Sequence, residues 1–132
     1  MQAIEQQNDH YRRIGGEAGV RALVKRFYEL MDALPEAHRI RQMHHISLQS
    51  SEEKLFQFLS GWMGGPQLYV QKYGHPRLRQ RHLPFAIGDE ERDQWMLCMI
   101  QALDETVADE TLRQELRAAL QKVADFMRNQ AQ

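Results

Sequence analysis

Val20, Leu23, Val24, Phe27, Leu30 and Met31 recur at helical spacing, with Arg21, Lys25, Arg26 and Glu29 set between them. This pattern predicts an amphipathic helix that follows the paired glycines Gly15 and Gly16. A second helix is predicted from Ser50 or Ser51, where Glu52 and Glu53 supply an acidic first turn. Its apolar stripe is Leu55, Phe58, Leu59 and Trp62, and Gly64-Gly65-Pro66 ends it. A third helix spans Asp89 to Val107, with Trp95, Cys98, Met99, Ala102, Leu103 and Thr106 on one face. A fourth runs from Asp109 to Met127, with Leu112, Leu116, Leu120, Val123 and Phe126 or Met127 turned inward. Nowhere does period-two alternation last for the length of a strand, so the expected fold is all-α.

The connections are less regular. Pro35 and Glu36 open a brief segment that leads into Met43, His44 and His45. The stretch from Gly64 to Pro84 is long, rich in Gly and Pro, and heavily basic. An ordinary four-helix bundle favours short connections, and long unstructured loops usually serve a purpose. Residues 1–12 read as a polar N-terminal extension, and 13–130 as one domain.

A chain of 132 residues is enough for a single core. Its 42% hydrophobic and 27% charged residues are ordinary for a soluble globular protein. Seventeen basic residues against 18 acidic give a net charge of −1, which argues against a nucleic-acid or anionic-membrane binder. One cysteine, Cys98, excludes an internal disulfide framework. The sequence has no charged-then-apolar leader and no run of 18 apolar residues, so a cytoplasmic protein is expected, with no membrane span.

Candidate chemistry is concentrated in residues 73–85, which hold His75, His82, Arg77, Arg79 and Arg81. A lone histidine is usually an ordinary surface or core side chain. Zinc is disfavoured by spacing: seven residues separate His75 from His82, about 10 Å along a helix at ~1.5 Å per residue. One ion with ~2.0 Å bonds does not reach both. A haem asks for less: one neutral imidazole, an apolar slot, and cations for two propionates. His82, flanked by Arg79 and Arg81 and then by Leu83 and Phe85, meets that description. The arginines are equally compatible with a solvated face or another anion site.

Seven segments, in order, resemble the truncated haemoglobins of group II. They are Ile14-Gly15-Gly16, Arg26-Phe27-Tyr28, Glu53 to Leu59, Trp62-Met63-Gly64-Gly65-Pro66, Gly74 to Arg79, Arg81-His82-Leu83-Pro84-Phe85, and Glu91 to Trp95. The resemblance implies a globin-like two-over-two helical sandwich around haem b (protohaem IX). It implies His82, in Arg-His-x-x-Phe, as the proximal iron ligand, with His75 in the preceding loop. On the distal side it implies Tyr28, Trp95 and His44, although His45 stands where relatives commonly carry proline. Ser51 falls at a small-residue position beside the ligand. Leu55, Phe58 and Leu59 would roof the pocket with Phe85 near the proximal imidazole, and Lys54, Arg81 and Tyr69 match propionate contacts.

A phenol O–H, an indole N–H and an imidazole N–H meeting at a bound diatomic would stabilise charge on its outer atom. At roughly 1.5–3 kcal/mol per bond to a charged group, two such bonds slow release by on the order of a hundredfold or more. The resemblance therefore implies a high-affinity binder or sensor of O2, CO, nitric oxide or sulfide. Equally open at this point is a redox enzyme, a nitric-oxide dioxygenase or peroxidase-like protein using an external reductase. A monomer or weak homodimer is expected. The reading from a different class is a haem-free helical interaction module.

Overall fold

The computed structural model describes residues 9–130. They form α1 (His10–Ile14), α2 (Gly16–Ala33), a 3₁₀ turn (Pro35–Ala37), α3 (His38–Gln42), α4 (Gln49–Trp62), α5 (Leu68–Tyr73), α6 (Leu78–His82), α7 (Asp89–Thr106) and α8 (Glu110–Met127). The four long helices are the four predicted from periodicity. Helix α2 packs on α7 and on α4, and α7 packs on α8, giving the two-over-two sandwich. No helix among the described residues is long and apolar enough to cross a membrane.

The core follows the stripes. On α2, Val20, Leu23, Val24, Phe27, Tyr28, Leu30 and Met31 are buried. They meet Cys98, Met99, Ala102 and Leu103 of α7, Phe56 and Leu59 of α4, and Leu112, Leu116 and Leu120 of α8. Burying a side chain of this size stabilises the fold by about 1.5–3 kcal/mol. Near the end of α8 the inward residue is Ala124, while Phe126 lies 60% exposed. The stripe there continues past the body it packs on.

Local chemistry sets the boundaries. Gly15, with φ +106°, ends α1 in the left-handed region and lets α2 begin at once. Gly19 lies so close to α1 that a Cβ would overlap the Ile14 carbonyl. The Gly19→Ala variant is expected to lose about 2 kcal/mol or more of stability through strain or displacement of α1, read as a lower thermal midpoint. Helix α1 also reaches into the predicted N-terminal extension: the Tyr11 amide donates to the Met63 carbonyl, and Arg13 pairs with Glu115 of α8. Residues 1–8 of that extension lie outside the described residues. Helix α4 starts slightly earlier than expected, at Gln49, whose amide donates to the Ser47 hydroxyl. Asp109 caps α8 by accepting from the Leu112 amide.

A buried carboxylate joins α3 to α7. Glu91, 7% exposed, accepts from the Gly88 amide at 2.8 Å and from Arg39 Nε at 2.7 Å. The amide bond, and then Arg39, hold its carboxyl below the ordinary value. A carboxyl depressed on folding stabilises the protein above its unfolded value, near 4.3, and the benefit disappears as pH falls through the lower folded value. Glu91→Ala should therefore cost about 2 kcal/mol at pH 7. In thermal unfolding followed by circular dichroism, the gap between variant and wild type should shrink toward pH 3.

Candidate functional site

Aromatic contacts draw the predicted residues into two groups, Tyr28, His44 and Trp95 around Phe27, and Phe58, Lys54 and Arg81 around Tyr69 and Tyr73. Tyr28 leaves the buried face of α2 with its ring 4.9 Å from Phe27 and 5.9 Å from His44. Phe27 in turn meets Trp95 of α7 at 5.2 Å. Trp95, Phe27, Tyr28 and His44 are thus linked in a row of edge-on rings. Burial, with Glu52 as a lesser cause, pushes the Tyr28 phenol well above its ordinary range, so it remains an O–H donor at neutral pH. Its hydroxyl has no hydrogen-bond partner among the described residues, and neither has the Trp95 indole.

The adjacent histidines differ. His44 is half-buried beside Tyr28, whereas His45 is exposed. His44 Nδ1 lies 2.7 Å from the Ile40 carbonyl, which only accepts, so Nδ1 carries the proton. Burial lowers the His44 value, opposed by the bond to Ile40, with Arg41 and His82 adding smaller downward contributions. The ring is then neutral and its Nε2 bears a lone pair. The N–H donor expected here from sequence is instead turned to the backbone.

His82 has the same internal arrangement. Its Nδ1 lies 2.6 Å from the Leu78 carbonyl one turn earlier, which leaves Nε2 as a lone-pair donor. Its ring is 6.4 Å from that of Phe85. Leu83 and Phe85 beside it are 56% and 42% exposed, unusual for large apolar side chains flanking a half-buried imidazole. His75, by contrast, is exposed, and its Nδ1 accepts from the Arg77 amide.

Leu55 and Phe58 are half-buried on α4, with Leu59 buried behind them, and Ser51 is half-buried in the first turn. Tyr69 lies tilted against Tyr73 at 4.8 Å and meets Phe58 edge-on at 6.3 Å. The Arg81 guanidinium is 5.7 Å from the Tyr69 ring and Lys54 Nζ is 5.7 Å from that of Tyr73. Lys54, Tyr69 and Arg81 therefore form one cluster. Arg79, which the sequence places beside His82, points away to the end of α8.

One signal went unused in the sequence. Residues 54–88 carry five cations (Lys54, Lys72, Arg77, Arg79 and Arg81) and no carboxylate. Among the described residues none of the five makes an ion pair, whereas Arg13, Arg21, Arg26, Arg39, Arg41 and Arg92 all do. Of the five, Lys54 and Arg81 sit against the Tyr69–Tyr73 pair, an arrangement that suits a ligand that is flat, apolar and anionic at its edge. The His82 imidazole, its exposed apolar flanks and these two cations together fit a haem.

The family model of bacterial-like globins matches residues 9–129. The chain belongs to that family. The globin is 50% identical to a group II 2-on-2 hemoglobin from the plant pathogen Agrobacterium tumefaciens, over 92% of this chain and 95% of the other, with a TM-score of 0.90. It is 37% identical to a group 2 truncated hemoglobin of Bacillus subtilis, over 95% of this chain and 92% of the relative. The solved truncated haemoglobin of that bacterium, described as oxygen-avid, superposes with a TM-score of 0.84 at 37% identity, over 91% and 98% of the two chains. Membership of this family implies haem iron as the cofactor and small gaseous molecules such as O2 as ligands.

Proposed function

We propose that this globin binds haem b through His82 Nε2 and holds O2 with high affinity on the opposite face. The observation that carries this reading is the His82 orientation, because the 2.6 Å bond from Nδ1 to the Leu78 carbonyl leaves Nε2 free to serve as the ligand atom beside exposed Leu83 and Phe85. Haem, once bound, supplies an iron that takes O2 or another diatomic molecule as a ligand. Arg81, Lys54 and Tyr69 would hold the propionates. Leu55 and Phe58 would cover the ring and exclude water.

The distal residues give the ligand two donors, with one acceptor beside them. Tyr28 offers a phenol that burial keeps protonated, and Trp95 an indole N–H, which only donates. His44 Nε2 accepts, and its nearest aromatic neighbour is Tyr28. Two donors suffice for slow O2 release, and the oxygen-avid relative from Bacillus subtilis supports that direction. The test is a ferric and ferrous absorption spectrum of purified protein, followed by O2 dissociation in stopped flow. Absence of haem, or O2 release as fast as from a pocket without hydrogen-bond donors, would overturn the proposal.

A further inference from the structure

Helix α6 is a single short helix of five residues, none of them buried. Burial of its own side chains therefore does not fix where it sits. Hydrogen bonds from the far end of the chain converge on it instead. Asn129, two residues beyond α8, donates from Nδ2 to the Phe85 carbonyl at 2.8 Å and to the His82 carbonyl at 3.2 Å. Its Oδ1 accepts from the Ile87 amide at 3.0 Å, and its own amide donates to the Ile87 carbonyl at 2.8 Å. The whole carboxamide is used. In the opposite direction Arg79 of α6 donates to the Phe126 carbonyl at 2.9 Å and to the Arg128 carbonyl, with its guanidinium 5.9 Å from the Phe126 ring.

We propose that Asn129, seconded by Arg79, is a positioning residue that clamps the α6 turn and so sets the height and tilt of the His82 imidazole. This rests on the reading that His82 ligates the iron. The chemistry is specific to asparagine: it combines two donors and one acceptor on a one-carbon stem. Aspartate keeps the acceptor for Ile87 but sets a carboxylate against the two carbonyls. The His82 carbonyl also accepts from the Phe85 amide, so the clamp closes on the turn that follows the ligand. Partners of this outer kind commonly alter metal affinity 10–100-fold.

The test compares wild type, Asn129→Asp, Asn129→Ala, His82→Ala and Asp109→Ala, all haem-reconstituted. Asp109 caps the other end of α8, so its variant reports on loss of helix stability alone. The readouts are the ferrous iron–imidazole stretching band in resonance Raman, the rate of haem transfer to a scavenging apoglobin, and exchange protection of the Phe85 and Ile87 amides. Asn129→Asp and Asn129→Ala should shift or broaden the band and speed haem loss about tenfold. Asp109→Ala should leave both unchanged. A wild-type band and loss rate in the Asn129→Asp variant, while His82→Ala loses the band, would overturn the clamp alone. Retention of the band in His82→Ala would overturn the ligand assignment, and the clamp with it. Exchange protection unaltered in Asn129→Ala would overturn the clamp independently of haem.

Discussion

His82→Ala is expected to fold with its far-ultraviolet helical signal nearly intact and to bind haem at least about 100-fold more weakly. The two halves of that result have separate causes. Helix α6 contributes no buried residue, so truncating its histidine removes little from the core. The imidazole, however, is the ligand that the proposed site depends on, and loss of a direct ligand exceeds the 10–100-fold typical of outer partners. A Soret titration of the apoprotein measures the change. Free imidazole should restore part of the absorption, because the truncated side chain leaves room for it. Tight haem binding with an unchanged spectrum would move the ligand elsewhere.

The next largest effects belong to the distal donors. Tyr28→Phe and Trp95→Phe should each accelerate O2 release about 10–100-fold, the equivalent of one hydrogen bond to a charged acceptor. Tyr28→Phe is the cleaner of the two. A phenyl ring retains the packing against Phe27 and His44, and only the hydroxyl is lost. CO develops less charge on its outer atom, so its release should change far less. His44→Phe should leave O2 release within a few-fold of wild type, because the proton of that imidazole is already committed to Ile40. A tenfold acceleration in His44→Phe would show that Nε2 donates after all, and that the tautomer changes when ligand binds.

The long helices were legible because eighteen residues repeat the 3.6 period often enough to be seen, as α2, α7 and α8 do. Helices α3, α5 and α6 have five or six residues, too few to display a period. They were visible only as interruptions: Pro35, the Gly64–Pro66 stop, and the arginines around His82. Periodicity left Phe126 or Met127 as the inward residue, and it is Phe126 that lies at the surface, under Arg79, while Met127 is half-buried. The direction of a hydrogen bond leaves no trace in residue order. That is why the His44 proton, the Glu91 tie to Arg39 and the Asn129 clamp needed coordinates. The grouping of Tyr28, His44 and Trp95 was legible only through the ordered family motifs, since these residues lie on three separate segments.

The distribution of the core has a consequence for how the molecule is assembled. Between Met63 and Met96, Ile87, itself 9% exposed, is the only buried hydrophobic residue, so that stretch gains little from self-burial. The free energy of opening it locally is therefore well below that of unfolding α2, α7 and α8. Haem held by His82, as proposed, would stabilise this weak part, in proportion to the logarithm of its concentration over its dissociation constant. The scaffold and residues 64–95 would then open as two separate units. A cell making this protein in excess of its haem would accumulate chains with a sound core and an open, protease-accessible segment. Cofactor supply, more than the sequence of the core, would then govern how long the protein survives.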